Sequence, residues 1–116
     1  MAADHNTLSG ADDGVYVEET GTALATVTVT RNALAGNSVH AVNNTGATTV
    51  DARCNWWGQS SGPTAGETIG SVTSAPWLIT SDLDGSCVPI VKIGTATVPV
   101  VEGNTGTTAV NLTVTL

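Results

Sequence analysis

Apolar and polar side chains alternate along two stretches of the chain that have the same shape. Residues 25–30 place Ala or Val at every second position with Thr between them, and residues 50–54 alternate Val, Ala and Cys with Asp and Arg. This period of two is typical of strands with one buried face. Both stretches run into an asparagine, Asn32 in the first and Asn55 in the second, so equivalent positions lie 23 residues apart. A spacing of this kind predicts a solenoid in which one coil follows another.

A weaker copy of the pattern begins near the N-terminus. Residues 6–10 match residues 32–36 at a spacing of 26, as expected if one loop of the first coil is longer. Short apolar runs at residues 15–17 and 39–42 supply a second strand in the first two coils, and Gly, Asp and Asn at residues 10–14 and 43–46 predict turns. The sequence therefore predicts three coils with almost no helix.

Asparagines recur at one position of this repeat, namely Asn6, Asn32 and Asn55. Side-chain amides stacked at successive layers can form a ladder in which each donates to the carbonyl of the next. We expect such a ladder here. The alternative is that asparagine only suits the local turn.

The chain changes character after Gly58. Residues 59–66 are rich in Ser, Gly and Thr, and an apolar run with proline and tryptophan follows at residues 76–79. Because a solenoid must cover its last layer, this segment is predicted to be a cap. Trp56, Trp57 and Trp77 are predicted to be core or cap residues, the alternative being that at least one is an exposed stacking platform.

Composition argues against several functions. Charged residues make up 11% of the chain, the net charge is −7, and Lys and Arg together number 3, so there is little to neutralise nucleic-acid phosphates. No apolar run approaches the about 18 to 20 residues that span a bilayer, and residues 1–5 lack the basic and apolar regions of a signal peptide. The first residues enter a repeat at once and the last stop inside an alternating strand, so we expect a fragment of a longer protein.

The chain has two cysteines, Cys54 at the end of the last clear strand and Cys87 after the predicted cap. A disulfide between them would hold the cap down and would suit an exported protein. The alternative is one buried and one exposed thiol. Two cysteines without metal-ligand spacing make zinc improbable.

Residues 54–58 (Cys-Asn-Trp-Trp-Gly), the Gly-Pro at 62–63 and the Pro-Trp-Leu at 76–78 together resemble the terminal coils of right-handed parallel β-helix repeat proteins of the pectate-lyase-like kind, found on bacterial surfaces. The resemblance covers about residues 1 to 87. It implies the fold more than an activity, because this scaffold serves lyases, hydrolases, epimerases and adhesins.

The tail resembles the opening of a Calx-β domain, in which a first strand ends in a Glu-Gly turn, here Glu102-Gly103, and leads into a Thr-Val-Thr-Leu strand, here residues 113–116. The resemblance implies that Glu102 is a calcium ligand in an intact parent protein. Calcium takes about six to eight oxygens, so this chain by itself is not expected to bind it. We therefore expect two domains, residues 1–88 from the β-helix and residues 89–116 from an incomplete immunoglobulin-like sandwich that needs about 100 residues.

Other polar groups point to surface roles. The acidic clusters Asp12-Asp13 and Asp82–Gly85 are predicted to be solvated turns, and Asp51 with Arg53 a surface ion pair on one strand face, although polysaccharide lyases on this scaffold use such groups for catalysis. His5 and His40 lie near no Ser or Cys in a nucleophile arrangement and are given no role.

The predicted fold class is thus all-β: about three coils and a cap of a right-handed parallel β-helix, followed by the first strands of a Calx-β sandwich. The predicted function is that of a non-enzymatic structural or adhesive module of a secreted or cell-surface bacterial protein, with no cofactor of its own, contacting a polysaccharide or a surface protein. Exposed strands at residues 95–101 and 109–116 also predict self-association. The alternative is the C-terminal portion of a polysaccharide lyase or glycoside hydrolase whose active site lies on upstream coils.

Overall fold

The computed structural model describes residues 1–23 and 25–87, and in these residues all regular structure is β-strand. The seven strands are β1 (Ala2–Asp4), β2 (Asp13–Val17), β3 (Val27–Thr30), β4 (His40–Asn44), β5 (Val50–Asp51), β6 (Thr68–Ile69) and β7 (Val72–Thr73). The predicted Calx-β segment at 89–116, with Glu102 and the strands at 95–101 and 109–116, lies outside the described residues.

The strands form two sheets in which every pairing is parallel. The first sheet has the order β1-β3-β5-β7, and the second has the order β2-β4-β6. Parallel neighbours require the chain to cross over between strands. Here each crossover passes through the other sheet, so successive passes of the chain stack as layers: β1 with β2, β3 with β4, β5 with β6, and β7 in a fourth layer.

The register of the first sheet matches the repeat read from the sequence. Thr28 pairs with Ala2 and Val27 pairs with Val50, which correspond to spacings of 26 and 23 residues. A further pairing joins Val50 to Val72. Isolated bridges from Ala33 to Thr7 and to Trp56 form a third column of contacts between the layers.

The core lies between the two sheets. In β3 the valines are fully buried and the threonines are only half-buried, as the alternating pattern predicts. The core residues are Val15, Val17, Val27, Val29, Leu34, Ala41, Val42, Val50, Ala52 and Trp57. Each is small or flat enough for a thin layer, so one pass of the chain contributes only a few apolar side chains and depends on its neighbours for burial.

Two details differ from the sequence predictions. Residues 13–14 and 43–44, predicted to be turns, are parts of strands β2 and β4, because parallel pairing to the adjacent layer outweighs the weak strand propensity of Asp, Gly and Asn. The segment predicted to be a cap contributes a strand to each sheet, β6 and β7. The backbone N–H groups of Val50 and Ala52 donate to Ser71 and Thr73, so pairing satisfies polar groups that a cap of side chains would leave open.

We expect Leu34→Ala to lower the free energy of unfolding by about 3 kcal/mol, because truncating a fully buried leucine leaves a cavity. Urea denaturation followed by circular dichroism measures the change. Val39→Ala, at a position that is 56% exposed, is the matched control and should stay within about 0.5 kcal/mol of the parent. Equal losses for the two variants would contradict a core placed between the sheets.

Candidate functional site

Three asparagines form a column of amide contacts inside the stack. The Asn32 side chain donates to Oδ1 of Asn55 at 3.3 Å, and the Asn6 side chain donates to Oδ1 of Asn32 at 3.1 Å. The same two oxygens also accept the backbone N–H groups of Asn32 and Asn6, at 2.8 and 2.9 Å. Asn32 and Asn55 are fully buried, so these amides satisfy backbone groups that water does not reach. The predicted ladder thus binds side chain to backbone as well as amide to amide.

The residue before each asparagine has a left-handed backbone. His5, Arg31 and Cys54 have φ values of 53°, 54° and 60°, a conformation that costs energy for residues other than glycine. Their backbone N–H groups continue the stacking, since His5 donates to Arg31 at 3.0 Å and Arg31 donates to Cys54 at 3.1 Å. We call these three residues the corner column, because they mark the same sharp turn in three successive layers.

A later segment, residues 82–87, lies across the corner column, and we call it the clasp. Asp84 in the clasp accepts from the His5 ring at 3.0 Å, in the first layer. Arg31, in the second layer, donates to the carbonyl oxygens of Leu83 and Gly85 at 2.8 and 3.3 Å. The clasp therefore contacts a different corner residue in each layer.

The third contact is covalent. Cys54 and Cys87 form a disulfide with a Cα–Cα distance of 5.3 Å, which confirms the bridge predicted from the sequence. It closes a sequence separation of 33 residues, for which the chain-entropy model gives a stabilisation of about 3 to 4 kcal/mol.

The outer face of the second sheet carries the most exposed aromatic side chain of the described residues. Tyr16 on β2 is 52% exposed and pairs in register with Asn43 on β4, which pairs with Ile69 on β6. The three side chains form one row across three layers, which we call the outer row. The hydroxyl of Thr45 donates to the Tyr16 oxygen at 3.4 Å at one side of this row.

Beside the outer row, two strands bring a carboxylate and an imidazole together. Asp13 accepts from or bonds the ring of His40 at 2.6 Å and accepts from the amide of Asn43 at 2.9 Å. The Asn43 hydrogen bond, followed by that of His40, holds the pKa of Asp13 below its usual value. Sequence reasoning placed Asp13 in a solvated turn and gave His40 no role. The signal was the register, since the two residues are 27 apart and pair directly.

The remaining charged groups are engaged within the protein. Arg53 makes a bidentate contact with Asp51 at 2.8 and 2.7 Å, and its hydrogen bonds hold the pKa of Asp51 below its usual value. This is the predicted surface pair, on a residue whose register partner is Thr28. In the acidic turn at 82–85 the carbonyls that might face a cation are occupied by the Arg31 guanidinium.

The tryptophans lie inward. Trp57 is buried, at the position equivalent to Leu34, and its indole N–H has no hydrogen-bond partner within the described part of the protein. Trp56 is half-buried, as is Trp77, whose ring lies against Gly62 and whose N–H donates to Ser60 at 3.1 Å. Gly62 has a positive φ, and a Cβ there would overlap the Trp77 ring.

Within residues 1–23 and 25–87, no three His, Cys, Asp or Glu side chains are grouped so as to hold a metal ion. The same part of the chain contains no helix that is long and apolar enough to cross a membrane. Comparisons with protein-family models, with curated protein sequences and with solved structures find no match. The candidate site is therefore argued from its own geometry, and the outer row with its Asp13–His40 pair is the surface best arranged to meet a partner.

We expect Asn32→Ala to lower the free energy of unfolding by about 2 to 4 kcal/mol, because it leaves the Ala3 and Thr30 carbonyls and the Asn6 N–H without their partner. Thermal and urea unfolding measure the loss. Asn6→Ala removes the same side chain at the exposed end of the column and should cost below about 1 kcal/mol. If both variants lost the same stability, the buried column would not be the source.

We expect Asp13 to stabilise the fold at neutral pH and to lose this effect in acid. Its folded pKa lies below the unfolded value, so the contribution is full above the unfolded pKa of about 3.9 and disappears as the pH falls through the folded pKa. The difference in Tm between the parent and Asp13→Asn should therefore shrink from pH 6 to about pH 2. Glu18→Gln, an exposed position just past β2, controls for net charge. A difference that stays constant with pH would refute the assignment.

Proposed function

We propose that this protein is a non-enzymatic structural and adhesive module that contacts polysaccharide through the outer row. The finer fold in this proposal is a right-handed parallel β-helix, followed by the start of a Calx-β domain whose Glu102 would contribute to calcium binding in an intact parent. The observation that carries the proposal is the alignment of Tyr16, Asn43 and Ile69 across three stacked layers.

The chemistry of the outer row fits a sugar. An aromatic ring offers a flat apolar surface for the C–H face of a pyranose, and an amide supplies both a donor and an acceptor for hydroxyls. Because layers repeat at about 4.8 Å, a row that crosses them presents its groups at a spacing comparable with successive atoms groups along an extended glycan. The net charge of −7 favours a neutral or cationic polysaccharide over an acidic one.

An exported location supports this proposal. A disulfide persists in oxidising compartments and is rare in the cytosol, and Cys54–Cys87 is formed between the third layer and the clasp. Stacked parallel sheets also suit display, because each side chain on an outer face is held by pairing on the layers beside it.

We expect Tyr16→Ala to weaken binding of the full chain to a neutral polysaccharide about tenfold, which is about 1.4 kcal/mol, because the ring supplies most of the apolar contact. Affinity electrophoresis through gels containing neutral, cationic or acidic polysaccharides measures the retardation.

Two variants sharpen this experiment. Tyr16→Phe keeps the ring and should retain most of the binding, and Ile79→Ala removes an apolar side chain that is 46% exposed but lies outside both sheets. If Ile79→Ala weakened binding as much as Tyr16→Ala, the outer row would not be the site. Unsaturated product released from polygalacturonate by the intact parent protein would instead favour a carbohydrate-active enzyme.

A further inference from the structure

The clasp joins layers that do not touch each other. In a stack of repeats each layer contacts only its neighbours, so an end layer can open without disturbing the rest. The first layer is such an end within the described residues, because β1 and β2 each pair on one side only. The clasp lies outside this neighbour rule, since it touches His5 in the first layer, Arg31 in the second and Cys54 in the third.

The three contacts differ greatly in strength. Asp84 has 89% of its side chain exposed and His5 has 41%, and ion pairs this open to water hold a segment weakly. The Arg31 contacts go to neutral carbonyls. The disulfide is the only bond of the three that does not break on the timescale of local motion, and it keeps Asp84 within three residues of a fixed point. Weak contacts tethered in this way form at a high effective concentration.

We propose that the clasp is a redox-controlled lock that couples the first layer to the third. When the Cys54–Cys87 bond forms, the contacts to His5 and Arg31 are held in place and the first layer is closed. When it is reduced, the clasp lifts and the first layer opens locally while the deeper layers stay folded.

The redox step is ordinary thiol–disulfide exchange. Two thiols of a dithiol such as dithiothreitol give two electrons to the Cys54–Cys87 bond and become a cyclic disulfide, and the two cysteines take up two protons. In the reverse direction, glutathione disulfide accepts two electrons from the cysteine thiols and leaves as two glutathione molecules.

The first contact also responds to pH. The His5 ring bonds Asp4 on β1 and Asp84 in the clasp, while Asp82 lies in the same turn and Arg31 lies one layer away. Hydrogen bonds from Asp4 and then Asp84 raise the pKa of His5. The contact is therefore complete below the unfolded value of about 6.5 and is lost as the pH rises through the higher folded value.

Native-state hydrogen exchange of the full chain, read by NMR or mass spectrometry, tests the lock. The reporting amides are those of His5, Leu8 and Gly10, which donate from the first layer to the second. Reduction by dithiothreitol should speed their exchange about tenfold or more while the amides of Leu34 and Ala41, which donate to the third layer, change less than about threefold. Equal acceleration in both groups, or none in the first layer, would overturn the proposal.

Two substitutions separate the lock from a plain cross-link. His5→Asn and Arg31→Asn remove the clasp contacts but retain a residue that tolerates the left-handed backbone found at both positions. In the oxidised protein each should speed first-layer exchange, and in the double variant reduction should add little more. Glu18→Gln is the matched surface control and should leave exchange unchanged. Variants that exchange like the parent would show that only the disulfide matters.

The pH dependence gives an independent readout. After correction for the intrinsic exchange rate, first-layer protection in the oxidised parent should fall between pH 6 and pH 8 as His5 loses its proton. His5→Asn should abolish this fall. A pH profile that is the same in the parent and in His5→Asn would remove His5 from the lock.

Discussion

The stack depends on how the buried corner before each asparagine satisfies its backbone. The chain turns sharply at Arg31 and Cys54 in a left-handed conformation, and a turn of this kind inside a protein leaves N–H and C=O groups that water cannot reach. Asn32 and Asn55 supply the missing partners, with amides that donate within their own layer and oxygens that accept from the adjacent one. The apolar core can close only because this polar corner is satisfied first.

Stacking alone would leave the protein weakly cooperative. Apolar burial, the asparagine column and the parallel ladders all act between adjacent layers, so none of them links the first layer to the third. The clasp provides that link through the corner column. The same left-handed residues that cost backbone energy also direct their side chains to the clasp, which gives the corner a role in holding the layers together as well as in turning the chain.

The two outer surfaces of the stack serve different purposes in this account. On the first sheet, Asp51 and Arg53 neutralise each other and leave little to meet a charged partner. On the second sheet, Asp13 and His40 are held together beside an exposed tyrosine, and this unequal distribution is why the proposed adhesive surface lies there. The lock acts at the corner column and the adhesive proposal rests on the outer row, so one can fail without the other.

The repeat, the strand alternation, the asparagine positions and the disulfide could be predicted from the sequence, because each is a periodic or pairwise property of residues at fixed spacing. Val27 and Val50 pair at the predicted spacing of 23, for that reason. The strands β6 and β7 could not be predicted, since the long segment before them hides the period and only pairing to the layer below makes them strands. Nor could the contacts of His5, Arg31 and His40, whose partners lie in other layers. The sequence by itself determined which residues face the core and where the chain turns, and only the tertiary structure decided which polar groups meet, because that depends on the register of whole layers.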